Sequence, residues 1–130
     1  MKVTEPETIV DIHTPLSTVA DSPATDAGRF YYKDIHNYRG FAIRVENTLD
    51  QPVILTVYGN FARGTTGADY FPDRLTLGVG STTTQYGIIS FHMARSAWTP
   101  WIYCQIQCPA GAPSSGYVYA DIIKFDPMTD

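Results

Sequence analysis

No window of this chain holds apolar residues at helical spacing over four turns. From Arg29 onward, short runs of Tyr, Phe, Val, Ile and Thr are instead cut at close intervals by turn-forming residues. Such side chains suit a pleated, half-buried surface, so the body of the molecule is β. Arg29 to His36 gives one strand, and Phe41 to Glu46 alternates with Phe41, Ile43 and Val45 on one face. Val53 to Tyr58 follows with Val53, Leu55 and Val57 inward, and the intervening turn residues predict a hairpin with a loop of about six residues. Residues 61–74 read as a long loop with room for one short edge strand. Further strands are expected at Leu75 to Val79, Thr82 to Phe91, Trp98 to Cys108 and Tyr117 to Phe125. The expectation is an all-β fold, an antiparallel β-sandwich or jelly roll of about seven to eight strands.

At 130 residues and 44% hydrophobic content, the chain can close one core and not two. Residues 29–130 are the expected domain, and residues 1–28 an extended N-terminal arm rich in Thr, Asp, Pro and Ser. Pro6, Pro15 and Pro23 forbid a long helix there. One short strand is expected near Ile9 to Ile12, and Ile9, Val10 and Ile12 are the arm's candidate contacts with a neighbouring subunit. The opening residues lack the apolar core of a signal peptide, and no apolar run is long enough to span a bilayer as a helix. A soluble product made in the cytoplasm, with no membrane partner, is expected.

A formal charge of −4 and a pI near 5.2 leave no basic patch, so nucleic acid is not an expected partner. The charges are also unevenly placed. Between Leu75 and Ala120 only Arg95 is formally charged. An ordinary solvated sheet carries Lys and Glu, partly to discourage edge-to-edge association. Depletion of charge with enrichment of aromatics marks a protein interface, and the candidates here are Tyr86, Trp98, Trp101, Tyr103, Gln105 and Gln107. Exposed Trp and Tyr also stack on sugars, so a carbohydrate-binding module of a tail fibre or secreted protein, with Trp98, Trp101 or Tyr103 as platforms, is the alternative.

Motifs for chemistry are sparse. Cys104 and Cys108 would stand roughly 13 Å apart in an extended strand, beyond the reach of about 7 Å that a disulfide needs. They are expected as packed thiols. Asp11-Ile12-His13 and Asp34-Ile35-His36 each place a carboxylate and an imidazole on one face of a strand, a pair that more often forms a local hydrogen bond than a metal site. No Gly-x-Ser-x-Gly elbow, His-Glu-x-x-His helix or phosphate-binding glycine loop is present. No catalytic residue, cofactor or metal is expected. A small enzyme would need a loop-built cluster around His36 or His92.

The stretch Phe41 to Val53, followed by Val57-Tyr58-Gly59-Asn60, resembles small β-sandwich structural proteins of tailed bacteriophages and related prophage clusters. The Trp101 to Gln107 strand, the Ala112-Pro113-Ser114-Ser115-Gly116 loop and the Val118 to Ile123 strand are similar to the same pattern. The resemblance implies a virion component, foremost a capsid decoration (cement) protein, with minor capsid or tail-associated proteins as variants. It implies no catalytic residues. The partners it implies are further copies of the chain, with a trimer expected from local three-fold sites, and a major capsid or tail protein lattice. The arm would lie across a neighbouring subunit.

Overall fold

A computed structural model describes residues 2–13, 31–34, 38, 40–60, 70–92 and 101–126. Nine strands are found among them: β1 (Lys2–Val3), β2 (Glu7–His13), β3 (Tyr31–Asp34), β4 (Gly40–Asn47), β5 (Val53–Asn60), β6 (Tyr70–Leu77), β7 (Gln85–His92), β8 (Trp101–Gln107) and β9 (Tyr117–Asp126). They form two antiparallel sheets. In the front sheet β9 is flanked on one side by β1 and β2 and on the other by β4, which pairs in turn with β7. In the back sheet the order is β3, β8, β5, β6.

The pairing is nested. β5 meets β6, β4 meets β7, β3 meets β8 and β2 meets β9, with successive pairs falling in alternate sheets. This is a long double-stranded ribbon rolled up on itself, the jelly-roll arrangement of two Greek keys. It corrects the expected hairpin between residues 41–46 and 53–58. β4 and β5 lie in opposite sheets, and the loop between them crosses the sandwich. Alternation shows that each strand buries one face, but it is the same for a strand in either sheet.

The inward faces meet in one core. Phe41, Ile43 and Val45 of β4 and Val118, Ala120 and Ile122 of β9 close it from the front. Val53, Leu55 and Val57 of β5 and Ile102, Cys104 and Ile106 of β8 close it from the back. Gly87 lies on the inward side of β7, opposite Val45, where an added Cβ would stand 2.8 Å from Leu75 Cδ2 and 3.0 Å from Leu77 Cδ2. The missing side chain lets the two sheets draw together along this flank.

The first part of the expected arm belongs to the domain. β2 pairs with β9 from Glu7↔Ile122 to His13↔Tyr117, and Ile9, Val10 and Ile12 are sealed in the chain's own core. They are therefore not contacts for a neighbour. The register shifts between Thr8 and Val10, which turns two consecutive residues inward and breaks the alternation that would have marked a strand. Residues 14–28 lie outside the described residues.

At one end of the sandwich the loops are fastened together. Buried Asn47 donates from Nδ2 to the Gly78 carbonyl (2.8 Å) and accepts at Oδ1 from the Leu49 amide (3.0 Å). Asp50 accepts from the Ser114 amide (2.9 Å) and hydroxyl (2.5 Å), and these bonds hold its carboxyl below the usual carboxylate range. Gly116 adopts a φ of 94°, and a Cβ there would fall 2.2 Å from the Thr48 carbonyl oxygen. Cys104 and Cys108 are free, buried thiols. Burial raises both, and Cys108, also near Asp50, is pushed up to about 11.

Candidate functional site

An open sandwich has four strand edges, and each must keep its unpaired backbone groups from recruiting another strand. Three of them are interrupted here. The β1–β2 edge is split into two short strands, carries Lys2, Glu7 and Asp11, and is bulged. β3 has four residues, two of them Lys33 and Asp34. β6 carries Pro72, Asp73 and Arg74, and its register to β5 shifts between Val57 and Gly59. β7 has none of these features. Its eight residues pair with β4 in unbroken register from Gly40↔His92 to Asn47↔Gln85, and none is formally charged. Among the described residues its other side pairs with nothing.

The connection entering β7 continues this character. Val79, Ser81, Thr82 and Thr83 are exposed, and Tyr86 and Ile88 on the strand's outer face are 64% and 67% exposed. The uncharged stretch from Gly78 to His92 is thus a largely exposed loop followed by a regular edge that no described strand covers.

Beside that edge, the outer face of the front sheet presents a grid of polar and aromatic side chains. One cross-strand row is Asp11, Tyr119, Glu46, Tyr86, and the next is Thr8, Asp121, Arg44, Ile88. Tyr117 Oη donates to Glu46 Oε2 at 2.8 Å, and Tyr86 also hydrogen-bonds Glu46. These bonds, more than any other influence, raise both phenols above their ordinary value. Thr8 Oγ1 and Tyr119 Oη share a 2.7 Å hydrogen bond. Arg44 Nη2 meets Asp121 Oδ2 at 3.1 Å, the arginine side chain 65% and the aspartate 13% exposed. Asp121 Oδ1 is enclosed and has no hydrogen-bond partner among the described residues.

Two adjoining hollows share this pair. One, of about 260 Å³, is lined by Pro6, Ala42, Arg44, Ile88, Asp121 and Ile123. The other, of about 250 Å³, is lined by Arg44, Glu46, Tyr86, Tyr119 and Asp121. The first is nearly all apolar apart from the ion pair, and the second is mixed.

Of the residues expected at an interface, Tyr86 is exposed on this face. Gln105 is a correction. It lies on the outward side of the back sheet but is only 5% exposed, accepts a hydrogen bond from Tyr58 Oη (3.3 Å) and neighbours the equally closed Thr56. Gln107 is half-buried. Trp101 and Tyr103 take their places on β8, central in the back sheet, though their side chains lie outside the described residues, as does Trp98 altogether. His36 is likewise outside them. No group of three or more His, Cys, Asp or Glu converges among the described residues.

Sequence reasoning missed Arg44, Glu46, Tyr117, Tyr119 and Asp121. The signal was present in the alternation, since each stands on the outward phase of its strand. The pairing that brings residues more than 70 positions apart together was not visible.

No family model and no curated protein matches the chain. Several solved structures are similar to it. They include a CBM4 structure (TM-score 0.45, 13% identity, 73% of this chain and 59% of that one). Another is the K1 cleaved adhesin domain of Lys-gingipain from Porphyromonas gingivalis W83 (TM-score 0.49, 10% identity, 92% and 88%). A third is the virus-like particle of the giant freshwater prawn Macrobrachium rosenbergii extra small virus (TM-score 0.31, 10% identity, 99% and 82%). The chain spans about three fifths of the CBM4 chain it matches. None of the three is similar enough to speak for a ligand or a partner.

Proposed function

We propose that this chain is a structural protein of a bacteriophage particle, a capsid decoration protein that associates with copies of itself through the β7 edge. The jelly roll is used by viral coat and lectin domains alike, so architecture does not choose between them. The observation that carries the reading is the contrast among the four edges: three are charged, short or irregular, and β7 is long, regular and neutral. An edge of that kind left in water is a liability to a monomer, and pairing it satisfies its backbone groups. The virion assignment rests on the sequence resemblance. In this reading the N-terminal residues 2–13 strengthen the sandwich and do not clamp a neighbour, because β2 is already paired within the chain.

Sedimentation of the full chain tests the proposal. Wild type is expected to form a discrete oligomer with β7 amides protected from hydrogen exchange on both sides of the strand. Ser90→Lys places a cation on the exposed edge and is expected to return the chain to monomer with its fold unchanged. A wild-type chain that stays monomeric at high concentration, with exchanging edge amides, overturns it.

A further inference from the structure

We propose that the outer face of the front sheet carries a binding groove for a neutral carbohydrate, with the Arg44–Asp121 pair at its centre. The two hollows on this face share that pair as a common wall, the one lined by Ala42, Ile88 and Ile123 being apolar and the one lined by Glu46, Tyr86 and Tyr119 mixed. A ligand filling both ends must offer apolar C–H surface and hydroxyl groups within a few ångströms of each other, which is the surface of a hexose ring. The Tyr86 ring, exposed at the polar end, is a stacking platform for the apolar face of a sugar.

The unused hydrogen-bonding capacity points the same way. Asp121 has one oxygen on Arg44 and the other enclosed without a donor among the described residues. A buried acceptor without a donor calls for a partner from elsewhere. Arg44 is the exposed member of the pair and has further N–H groups to give. A vicinal diol answers both, one hydroxyl donating to the Asp121 carboxylate and the other accepting from Arg44. An anionic ligand is disfavoured, because Glu46 and Asp121 line the hollows with Arg44 as the single cation among the lining residues. A purely apolar ligand would leave Asp121 Oδ1 as it is.

The test is a titration of the isotope-labelled full chain with cellohexaose, mannohexaose and xylohexaose, with a heparin hexasaccharide as the anionic comparison. A saturable response to at least one neutral sugar is expected, with shifts concentrated at 42–46, 86–88 and 119–123. Tyr86→Ala and Asp121→Asn are each expected to weaken it by about tenfold or more. Tyr86 is exposed, so its removal leaves the core intact, and an unchanged spectrum elsewhere checks this. No saturable response to any neutral sugar, tighter binding of the heparin fragment, or neutral binding untouched by both variants overturns the proposal. The same shifts produced by raising protein concentration alone also overturn it, since the groove would then belong to a second copy. Sugar binding retained in Ser90→Lys separates this inference from the assembly proposal, because Ser90 does not line the groove.

Discussion

β6 and β7 are consecutive strands of eight residues on the same flank of the sandwich, each an outer strand of its sheet, and they treat that position in opposite ways. β6 has a proline, two charges and a slipped register, whereas β7 is neutral and pairs without interruption. Both present an inward apolar side to the same core, so burial did not require the difference. The lesson is that edge chemistry is set strand by strand, and that β7 lacks the devices that guard β6 against a further strand.

The most severe way to break this comparison is to loosen the loop joining the two strands. Gly80 donates its amide to the Leu49 carbonyl at 2.8 Å, and a Cβ there would fall 1.8 Å from the Asn47 carbonyl oxygen. Backbone cannot yield as a side chain can, so Gly80→Ala is expected to cost roughly 3 kcal/mol or more in urea unfolding. Next comes the reversal of the β6 edge. Replacing Asp73 and Arg74 together with Thr is expected to give a chain that sediments as polydisperse aggregates instead of one discrete species, since both edges of the flank would then accept strands.

A subtler change probes the face beside β7. Glu46→Gln removes the carboxylate that holds the Tyr86 and Tyr117 phenols neutral. Their raised values mean that this contribution is complete below the ordinary phenol pKa and is lost as pH rises through the raised ones. Alkaline absorbance titration should therefore show two late-titrating tyrosines in wild type that move back toward the ordinary phenol value in the variant. The smallest effect is expected from Gly87→Ala. The added methyl meets only the ends of the Leu75 and Leu77 side chains, which can turn, while a glycine in a strand is itself weakening by about 0.5–1 kcal/mol. Net stability should change by less than about 1 kcal/mol, with Leu75→Ala relieving whatever strain appears.

The faces of the strands were legible in the sequence and their partners were not. Phe41, Ile43 and Val45 alternate as plainly in the chain as in the core, and Tyr86, Ile88 and Ser90 stand outward as their spacing requires. What alternation lacks is any statement of which sheet a strand joins, so β4 and β5 read as a hairpin although they face each other across the core. Ile9 and Val10 were obscured by the bulge that turns both inward. Gln105 shows a different limit, because a polar residue on the outward phase reads as solvated even where something covers it. The cluster around Glu46 needed three strands in register, and no local pattern encodes that.

The nested pairing has a consequence for how the molecule is made. β9, the last of the nine strands to leave the ribosome, sits between β4 and the β1–β2 pair, so the front sheet has no middle until synthesis has passed residue 126. Until then β4 offers a vacant side and Ile9, Val10 and Ile12 have no strand to lie on. A nascent chain in that condition is open to the wrong partner, and in a cell making many copies the nearest one is the chain emerging beside it.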